Sequence, residues 1–341
     1  MPEVNPQPIE VSVIVPVYNG EAFLPKCLGA LSASDFPAFE VIVVDDGSTD
    51  RSVDISKSFG ASVLPSGGVR SGPAAARNVG SRTARGSILL FIDADVVIEP
   101  ETIGKVFARF DDPSVSALFG SYDSEPAEQN FLSQYKNLQH RFVHQTSNPE
   151  ASTFWAGLGA IRTEVFHAIG GFDVEQYAVP SIEDIELGVR LRQTGHRIIL
   201  DRDIQAKHLK KWTPIQLLKT EIFCRAMPWS KLILTKQGVV NDMNVKVRDR
   251  ISAALTLLSF ATLPLLFWWP SLLAVVFACL VTVFLLNYDF FRFFAGLKGP
   301  VFALMTFPWL LAYFTYSSLS FAFCFFRFAP ASFLNGRQVN R

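Results

Sequence analysis

Three long segments without a charged residue lie near the end of the chain, and they restrict its fold more than any other feature. They cover about residues 251–269, 271–288 and 300–326. Each is near the length of roughly 18–20 residues that a helix needs to cross a bilayer. A buried helical hairpin of a water-soluble protein can contain one such segment, whereas three in succession favour membrane spans. The hydrophobic share of 49% agrees, because it exceeds what a water-soluble domain of this size needs.

The charges around these segments predict the orientation. Residues 196–250 contain 12 Lys or Arg and 5 acids, which suits an anionic cytoplasmic leaflet. The opening "MPEVNPQPIE" has neither the basic start nor the apolar centre of a signal peptide. We therefore expect a multi-pass protein of the cytoplasmic (inner) membrane with its first domain in the cytosol. Because the chain has no net charge, we expect no nucleic-acid partner.

The first half of the chain alternates short apolar runs with helical patterns. Strands are predicted at "VSVIVPVY" (11–18), "EVIVVDD" (40–46) and "SILLFI" (87–92), with helices over about 21–33, 51–59 and 74–84 between them. This order predicts an α/β domain with a Rossmann-like, mainly parallel sheet. In such sheets ligands bind at the carboxyl ends of the strands.

Polar side chains follow these strands at their carboxyl ends. Tyr18 follows the first strand, Asp45 and Asp46 end the second, and Asp93 with Asp95 follow the third. Because these strand ends share one edge of the sheet, we expect one acidic, nucleotide-sized site there. For Asp93 and Asp95, an Asx turn or a helix cap is the local alternative. The functional interpretation is that they bind a divalent cation held on a diphosphate, since alternate carboxylates in a turn supply hard oxygen ligands.

Four segments together carry a resemblance to a known family. They are "VSVIVPVYNG", "VIVVDDGSTD", "GPAAARNVG" and "LLFIDADV". In this order and at these spacings the chain resembles glycosyltransferase family 2, whose catalytic domain has the GT-A fold, over about residues 10–210. The resemblance implies an inverting, metal-dependent transfer of a sugar from a nucleotide-sugar donor, with a UDP-sugar as the expected donor.

The resemblance also implies roles for the strand-end residues. Asp93 and Asp95 match the DxD motif, in which the second acid binds Mn2+ or Mg2+ on the donor diphosphate. Asp46 matches an acid that contacts the nucleoside, with Asp45 beside it, and Tyr18 matches a position next to the base. His208, in "AKHLKKWTP", lies where related enzymes sometimes supply another metal ligand; a structural or interfacial histidine is the alternative.

Two adjacent acids precede a predicted helix in "PSIEDIELGVRLRQTGHRI". Ser181 and Asp184 have the spacing of a capping box, which alone can account for an acid at this place. Glu183 and Asp184 also match the ED motif of the family, whose aspartate is the catalytic base. An inverting transfer needs such a base, because a sugar hydroxyl is a weak nucleophile.

The segment between these motifs is expected on the acceptor side. Within "STFWAGLGAIRTEVFHAIGGFD" the resemblance places Trp155 and Gly157 at a sugar pocket. The "GLGAIR" stretch is not a dinucleotide loop, because an arginine replaces its third glycine. In "GPAAARNVG", close helix packing is the favoured interpretation, and contact of Arg77 or Asn78 with phosphate is the alternative.

We therefore divide the chain into four parts. They are a GT-A catalytic domain (1–212), an interfacial amphipathic helix and linker (213–250), transmembrane helices (251–328) and a tail (329–341). The side of the tail stays open: three spans place it outside, whereas its arginines favour the cytosol, which a kink at Pro308 would permit.

The predicted function is transfer of a sugar to a membrane-associated acceptor, either a glycolipid or a cell-envelope glycan precursor. A polyprenyl-phosphate glycosyltransferase is the first alternative. A non-catalytic membrane scaffold and a nucleotidyltransferase are two others; the presence of all four acids at 46, 93, 95 and 184 counts against the scaffold. The short motifs do not identify the sugar, the acceptor or the oligomeric state.

Overall fold

The computed structural model describes residues 8–68, 70–237 and 242–335, with side chains up to 236 in the second range and from 242 to 328 in the third. The chain divides into two compact units that meet in sequence between Lys211 and Trp212. The last residues of the predicted tail, including Arg337 and Arg341, lie outside the described ranges. Each unit is considered separately below.

The first unit is an α/β domain. Its strands are β1 (Val11–Val17), β2 (Phe39–Asp45), β3 (Ser62–Pro65), β4 (Ile88–Ile92), β5 (Val96–Ile98), β6 (Val115–Tyr122), β7 (Leu158–Arg162) and β8 (Arg197–His208). Its helices are α1 (Leu24–Ser32), α2 (Ser52–Ser58), α3 (Gly72–Thr83), α4 (Thr102–Arg109), α5 (Phe131–Thr146), α6 (Thr163–Ala168) and α7 (Glu183–Gln193). The three strands and three helices predicted in the first half are confirmed, with ends within three residues.

The eight strands form one mixed sheet in the order β3-β2-β1-β4-β7-β6-β8-β5. The first four strands are parallel, as predicted from the alternation of strands and helices. In the remainder, β6 pairs parallel with β8, whereas β7 pairs antiparallel with both of its neighbours and β5 pairs antiparallel with β8. The sheet is therefore mixed, with four parallel pairs and three antiparallel ones, so parallel pairing predominates as predicted.

Close packing of α3 on the parallel strands fixes the position of this helix. Every residue of β4 is buried, as expected for a central strand that is covered on both faces. A methyl group on Gly80 of α3 would lie 2.6 Å from a side-chain carbon of Ile14. The small residues of "GPAAARNVG" therefore allow the helix to lie against the sheet, which confirms the packing role predicted for this segment.

The second unit is entirely helical in the described residues. Its α-helices are α8 (Pro214–Lys219), α9 (Met227–Leu232), α10 (Val247–Thr262), α11 (Leu273–Leu286), α12 (Tyr288–Lys298) and α13 (Pro300–Asn335). Two π-helical segments, Thr220–Ala226 and Ile233–Gln237, alternate with α8 and α9. Helical structure thus runs from 214 to 237, so Pro228 does not break it. The π-helical turn before Pro228 offers an explanation, because its looser hydrogen-bond pattern accommodates a residue without an N–H.

Two helices in the described part of this unit are long and apolar enough to cross a membrane. They are Val247–Phe267 and Pro300–Phe328, close to two of the three predicted spans. The third predicted span corresponds to the helical segment Pro270–Leu286. This segment is long enough to cross a membrane only together with the next helix, Tyr288–Lys298, and the two are bent by 65° relative to each other. The structure therefore contains two candidate spans, or three if the bent pair is counted as one.

Small hydroxyl side chains face the interior of this helical unit. On α10 the buried hydroxyl residues are Ser252, Thr256, Ser259 and Thr262. Thr256, Ser259 and Thr262 each donate a hydrogen bond to the backbone carbonyl four residues earlier. The exposed face of the same helix carries large apolar side chains, including Leu258 and Phe260. Helix α10 is thus more polar on its buried face than on its exposed face.

Candidate active site

The ends of β1, β2 and β4 lie side by side, because these three strands are neighbours in the sheet. Tyr18 and Asp46 come directly after β1 and β2, and Asp93 comes directly after β4. The prediction that these strand ends share one edge is therefore confirmed.

Asp46 organises the loop that follows β3. Its carboxylate accepts hydrogen bonds from the Ser66 hydroxyl at 2.6 Å, the Ser71 backbone N–H at 2.7 Å and the Gly72 backbone N–H at 2.9 Å. Asp45 accepts a hydrogen bond from the backbone N–H of Ser48 at 3.2 Å, which closes the next turn. Both acids thus have a structural function at the edge of the sheet.

The side chain of Tyr18 is 39% exposed at this edge. The guanidinium of Arg70 lies over its ring, 4.6 Å from the centroid. A flat aromatic ring beside the buried Asp46 is the arrangement that a nucleobase needs for stacking on one face and hydrogen bonding at its edge.

Arg77 joins the two predicted acidic motifs. One terminal nitrogen of its guanidinium donates to Asp93 Oδ1 at 2.7 Å, and the other donates to Glu183 Oε1 at 3.0 Å. The other carboxylate oxygen of Glu183 accepts from the backbone N–H of Ser181 at 3.0 Å. The DxD segment and the first turn of α7 therefore meet at one buried arginine.

Asp184 is held by two backbone amides. Its carboxylate accepts from the N–H of Ala156 at 3.1 Å and from the N–H of Ile185 at 2.8 Å. Burial and the nearby Glu183 carboxylate raise the pKa of Asp184 to about 6, although Arg77 and these amides act in the opposite direction. A carboxylate with this pKa can accept a proton near neutral pH.

The start of α7 differs by one residue from the capping-box alternative. That alternative makes Ser181 the N-cap, whereas the helix begins at Glu183 and its N-cap is Ile182. The carboxylate of Asp184 accepts hydrogen bonds from the backbone amides of Ala156 and Ile185. Asp184 therefore has a contact outside its own helix, to the segment before β7.

Asp95 and His208 lie together on the other side of the DxD turn. Nε2 of His208 is 3.4 Å from Asp95 Oδ2, and Nδ1 of His208 is 2.6 Å from the side-chain oxygen of Asn137. With the amide oxygen as acceptor, Nδ1 carries a hydrogen, and Nε2 is the ring nitrogen that faces Asp95. Burial raises the pKa of Asp95, but His208 and Lys210 more than offset this and hold it below its usual value.

These two side chains fit a divalent cation as a partial ligand set. Two ligands about 2.1 Å from one ion are roughly 3.0–3.4 Å apart when they are adjacent in its coordination sphere. The separation of Asp95 and His208 falls in this range. The described residues contain no group of three or more His, Cys, Asp or Glu side chains placed to hold a metal. Phosphate oxygens of a substrate would therefore supply the other ligands.

Trp155 is fixed in a cluster of aromatic rings beside His208. Its ring centroid is 4.9 Å from that of Tyr122 and 4.7 Å from that of His140, and Tyr122 stacks on His208 at 4.5 Å. A methyl group on Gly157 would lie 2.6 Å from the Trp155 ring. Gly157 therefore leaves the space that the indole occupies.

A comparison with protein families agrees with this geometry. The model of the family described as glycosyl transferase family 2 matches residues 12–170. The chain contains a glycosyl transferase family 2 domain. The matched range includes the DxD segment, Arg77 and Trp155, and it ends before Glu183 and Asp184.

Proteins with a similar sequence to this family 2 domain include glycosyltransferases. An uncharacterized glycosyltransferase of Haemophilus influenzae is 32% identical over 187 residues, which cover 54% of this chain and 62% of that protein. The matches to two other curated glycosyltransferases cover 17% and 19% of their lengths. The chain thus spans less than two thirds of these relatives.

Solved structures show the fold of the family 2 domain. Staphylococcus aureus TarS 1-349, in complex with UDP-GlcNAc, matches with a TM-score of 0.53 and 20% identity over 98% of this chain and 93% of that one. The mannosyltransferase PcManGT of Pyrobaculum calidifontis, in complex with GDP-Man and Mn2+, matches with a TM-score of 0.50 and 19% identity over 93% of this chain and 90% of that one. The predicted α/β GT-A fold is confirmed.

The most important residue of the family 2 domain that sequence reasoning did not select is Arg77. Its motif was assigned to helix packing, which is correct for the alanines and glycines. In the sequence Arg77 directly follows the three alanines of this motif, in the first half of α3. Asn137 was missed as well, since a polar residue within α5 has no distinguishing pattern in the sequence.

Proposed function

We propose that this protein is an inverting, metal-dependent glycosyltransferase that moves a sugar from a nucleotide-sugar donor to an acceptor at the membrane. The observation that carries this proposal is the meeting of the strand ends with the first turn of α7. Arg77 links Asp93 to Glu183, and Asp184 follows in the same turn with a raised pKa. Such a site contains a donor side and a base side. Transfer of a sugar directly from the donor to a hydroxyl requires both.

The donor side consists of the three strand ends. Tyr18 offers its ring to the base, Asp46 and the adjoining Asp45 lie where the nucleoside would be bound, and Asp93 lies toward the diphosphate. The two structural neighbours have UDP-GlcNAc and GDP-Man bound. We infer a nucleotide sugar as the donor here, and a UDP-sugar as the first to test.

Mn2+ or Mg2+ would be held by Asp95 and His208 together with the donor diphosphate. When bound, the cation neutralises the charge that develops on the departing nucleoside diphosphate. Asn137 supports this assignment, because its contact orients the imidazole of His208. Asp93, whose Oδ1 is bound by Arg77, would contact the cation or the donor only through its other oxygen.

Asp184 acts as the base in this proposal. An acceptor hydroxyl at its carboxylate loses its proton to Asp184 while the oxygen attacks the sugar carbon on the face opposite the leaving group. Glu183 is the second acid of the pair and keeps the first turn of α7 in place through Arg77. Trp155, with Gly157 beneath its ring, would provide an apolar surface for a sugar on the acceptor side.

The helical unit supports a membrane location. Helix α10 exposes large apolar side chains and buries its hydroxyl side chains, and α11 exposes Phe277 and Leu285, as in helices that pack together within lipid. In water this arrangement would leave a large apolar surface unprotected. We propose that α10, the α11–α12 pair and α13 are embedded in the cytoplasmic (inner) membrane, with the first unit in the cytosol.

The helical stretch 214–237 is then assigned to the surface of the membrane. Ile215 and Phe223 are 69% and 63% exposed. Lys231 lies farther along the same helical stretch and is also exposed. Exposed apolar and basic side chains together are typical of a helix that lies in the interface. The anchor would hold the site near a lipid-borne acceptor and so raise the frequency of their encounters.

Release of nucleoside diphosphate tests the proposal. Purified full-length protein in lipid, supplied with a nucleotide sugar and membrane lipids, should release the diphosphate and transfer the sugar with inversion. Asp184→Asn should keep donor binding and lose transfer by roughly two to four orders of magnitude. Release of pyrophosphate instead would indicate a nucleotidyltransferase. Unchanged transfer by Asp184→Asn would indicate an acceptor that is already ionised, such as a polyprenyl phosphate.

A further inference from the structure

Arg77 is the most deeply buried cation at the site and contacts acids from two different motifs. Only 4% of its surface is exposed. Its partners, Asp93 and Glu183, are 16 and 106 residues away in the sequence. No other contact described above joins the DxD turn directly to the first turn of α7.

The fold places this arginine with few degrees of freedom. Helix α3 begins at Gly72, whose φ of +86° and proximity to the carbonyl oxygen of Ala178 exclude a side chain. The guanidinium of Arg77 also lies over the ring of Phe172, 5.5 Å from its centroid. The side chain of the next residue, Asn78, accepts a hydrogen bond from the N–H of Phe172 and donates one to its carbonyl.

The charges around Arg77 explain why the site needs an arginine. Asp93, Glu183 and Asp184 place three carboxylates around Arg77, and the carboxylates repel one another. A guanidinium can donate from two nitrogens in one plane to two separate carboxylates, whereas the ammonium of a lysine is a single point of charge. Arg77 thus holds both partners at fixed positions.

We propose that Arg77 is a positioning residue that couples the donor-side acid Asp93 to the catalytic pair, Glu183 and Asp184, by bridging Asp93 and Glu183. This inference rests on the proposed glycosyl transfer, in which Asp184 is the base. Arg77 itself touches Asp93 and Glu183 and acts on the reaction through them. A salt bridge that only stabilises the fold is the competing explanation.

The consequence for Asp184 follows from the groups around it. Glu183 faces it from the same helix, Arg77 from α3, and the backbone N–H of Ala156 from the segment before β7. Without Arg77, the carboxylate of Glu183 would lose its cation and Asp184 would lose an attractive charge. Both changes favour the protonated form of Asp184, so the pH at which activity is half lost on the acid side should rise.

The test compares four variants with the wild-type full-length protein. They are Arg77→Met, Arg77→Lys, the double variant Arg77→Met with Glu183→Gln, and Arg190→Met as the matched control. Arg190 pairs with the buried Glu186 at 2.9 Å on the same helix α7 and bonds to the carbonyls of Ile169 and Gly171, but it has no contact with the four acids of the site among its described bonds. The measurements are the pH dependence of nucleoside diphosphate release and the donor Kd.

Arg77→Met should lower kcat by roughly tenfold to a hundredfold and move the acid limb of its pH profile upward by about one pH unit. Its donor Kd should change much less than its kcat. Arg77→Lys should leave the limb near the wild-type position, because the charge remains, and lower kcat because one ammonium does not bridge both acids. The double variant should return the limb toward the wild-type position, since Glu183→Gln removes the unpaired charge.

The inference is overturned if Arg77→Met loses activity without the expected change in its pH profile. If Arg77→Met does not fold, Arg77→Lys takes its place in the test. For Arg77→Met the contradicting result is an unmoved acid limb, as in Arg190→Met. For Arg77→Lys the contradicting result is a kcat equal to that of the wild-type protein. An acid limb shifted upward in pH, as expected only when the positive charge is removed, would also contradict the inference. Failure of the proposed function has a different signature, since the wild-type protein itself would then release no nucleoside diphosphate from any nucleotide sugar.

Discussion

Asp184 combines the two properties that a general base requires, a raised pKa and a fixed orientation. Its two backbone hydrogen bonds set the direction of the carboxylate, while burial and Glu183 raise its pKa to about 6. A carboxylate in such an environment costs stability, because water would solvate it better. This cost is expected at a catalytic residue and not at a structural one.

A stability measurement can detect this cost at the scale of one residue. Because the pKa of Asp184 is higher in the folded protein than in the unfolded chain, ionisation of Asp184 opposes folding at neutral pH. Asp184→Asn should therefore raise the free energy of unfolding by about 2–3 kcal/mol at pH 7.5. The gain should shrink as the pH falls through 6 and vanish below 3.8, where the wild-type carboxyl is protonated in both states. Thermal unfolding of both proteins across this range provides the check, and a destabilised Asp184→Asn at pH 7.5 would contradict the argument.

The strand-end residues were predictable from the sequence, and the bridge between the motifs was not. Carboxylates that follow parallel strands of one sheet share an edge, so Asp46 and Asp93 could be placed at the same edge from the strand pattern alone. The link from Arg77 to Glu183 spans 106 residues and depends on how α3 and α7 pack. Nothing in the local pattern around either residue reveals it.

At the scale of elements, α7 reaches the site because it packs against a backbone segment without an intervening side chain. Gly188 lies at this contact, and a methyl group on it would overlap the backbone nitrogen of Phe154. The same segment continues to Ala156, whose N–H binds Asp184. The approach of α7 therefore places Asp184 against its hydrogen-bond donor.

Gly188→Ala should destabilise the domain by about 1–3 kcal/mol or more, since neither backbone can yield without displacing the site. It should also lower transfer more than donor binding. Gly104→Ala is the matched control on α4, where the nearest atom to an added methyl group is 3.8 Å away. That variant should be neutral or more stable by about 0.5–1 kcal/mol. If the two substitutions change the free energy of chemical unfolding equally, the close contact of α7 with the backbone at Phe154 does not explain the loss of stability.

The elements themselves were only partly predictable. The alternation of strand and helix patterns predicted β1, β2 and β4, which are mainly apolar runs, whereas the short and partly exposed β3 was not predicted. β7 escaped prediction because "LGAIR" is short and contains a glycine. Gly159 is required there because a methyl group on it would overlap the backbone carbonyl of Trp155, a contact that exists only in the folded domain.

At the scale of the whole molecule, the two units suit different surroundings. The first has a buried apolar core and charged residues on its surface, whereas the second exposes side chains such as Phe277 at 69% and Leu285 at 63%. The proposed membrane location accounts for this difference, since lipid does not penalise exposed apolar groups. The uncharged segments predicted two straight helices well. The bend after Leu286 was not predicted, because no proline or glycine marks it.

Phe277→Asp tests the membrane location directly. A carboxylate at the centre of a spanning helix costs about 2.5–3.5 kcal/mol, so the variant should accumulate less in membranes and be extracted more readily by alkaline carbonate. Phe59→Asp is the control, because Phe59 is exposed in the first unit; it should leave membrane association unchanged. If Phe277→Asp behaved like this control in fractionation, α11 would not lie in lipid.

The central claim is that this protein binds a nucleotide sugar through a cation held by Asp95. Calorimetric titration of purified full-length protein with UDP- and GDP-sugars, with and without Mn2+, measures this most directly. We expect one nucleotide sugar to bind only with the metal, to lose this binding in Asp95→Asn, and to keep it in the surface control Asp112→Asn, which is paired with Arg197. Equal affinity with and without Mn2+, or in Asp95→Asn, would contradict the metal assignment. No binding of any nucleotide sugar by folded wild-type protein would contradict the proposed function itself.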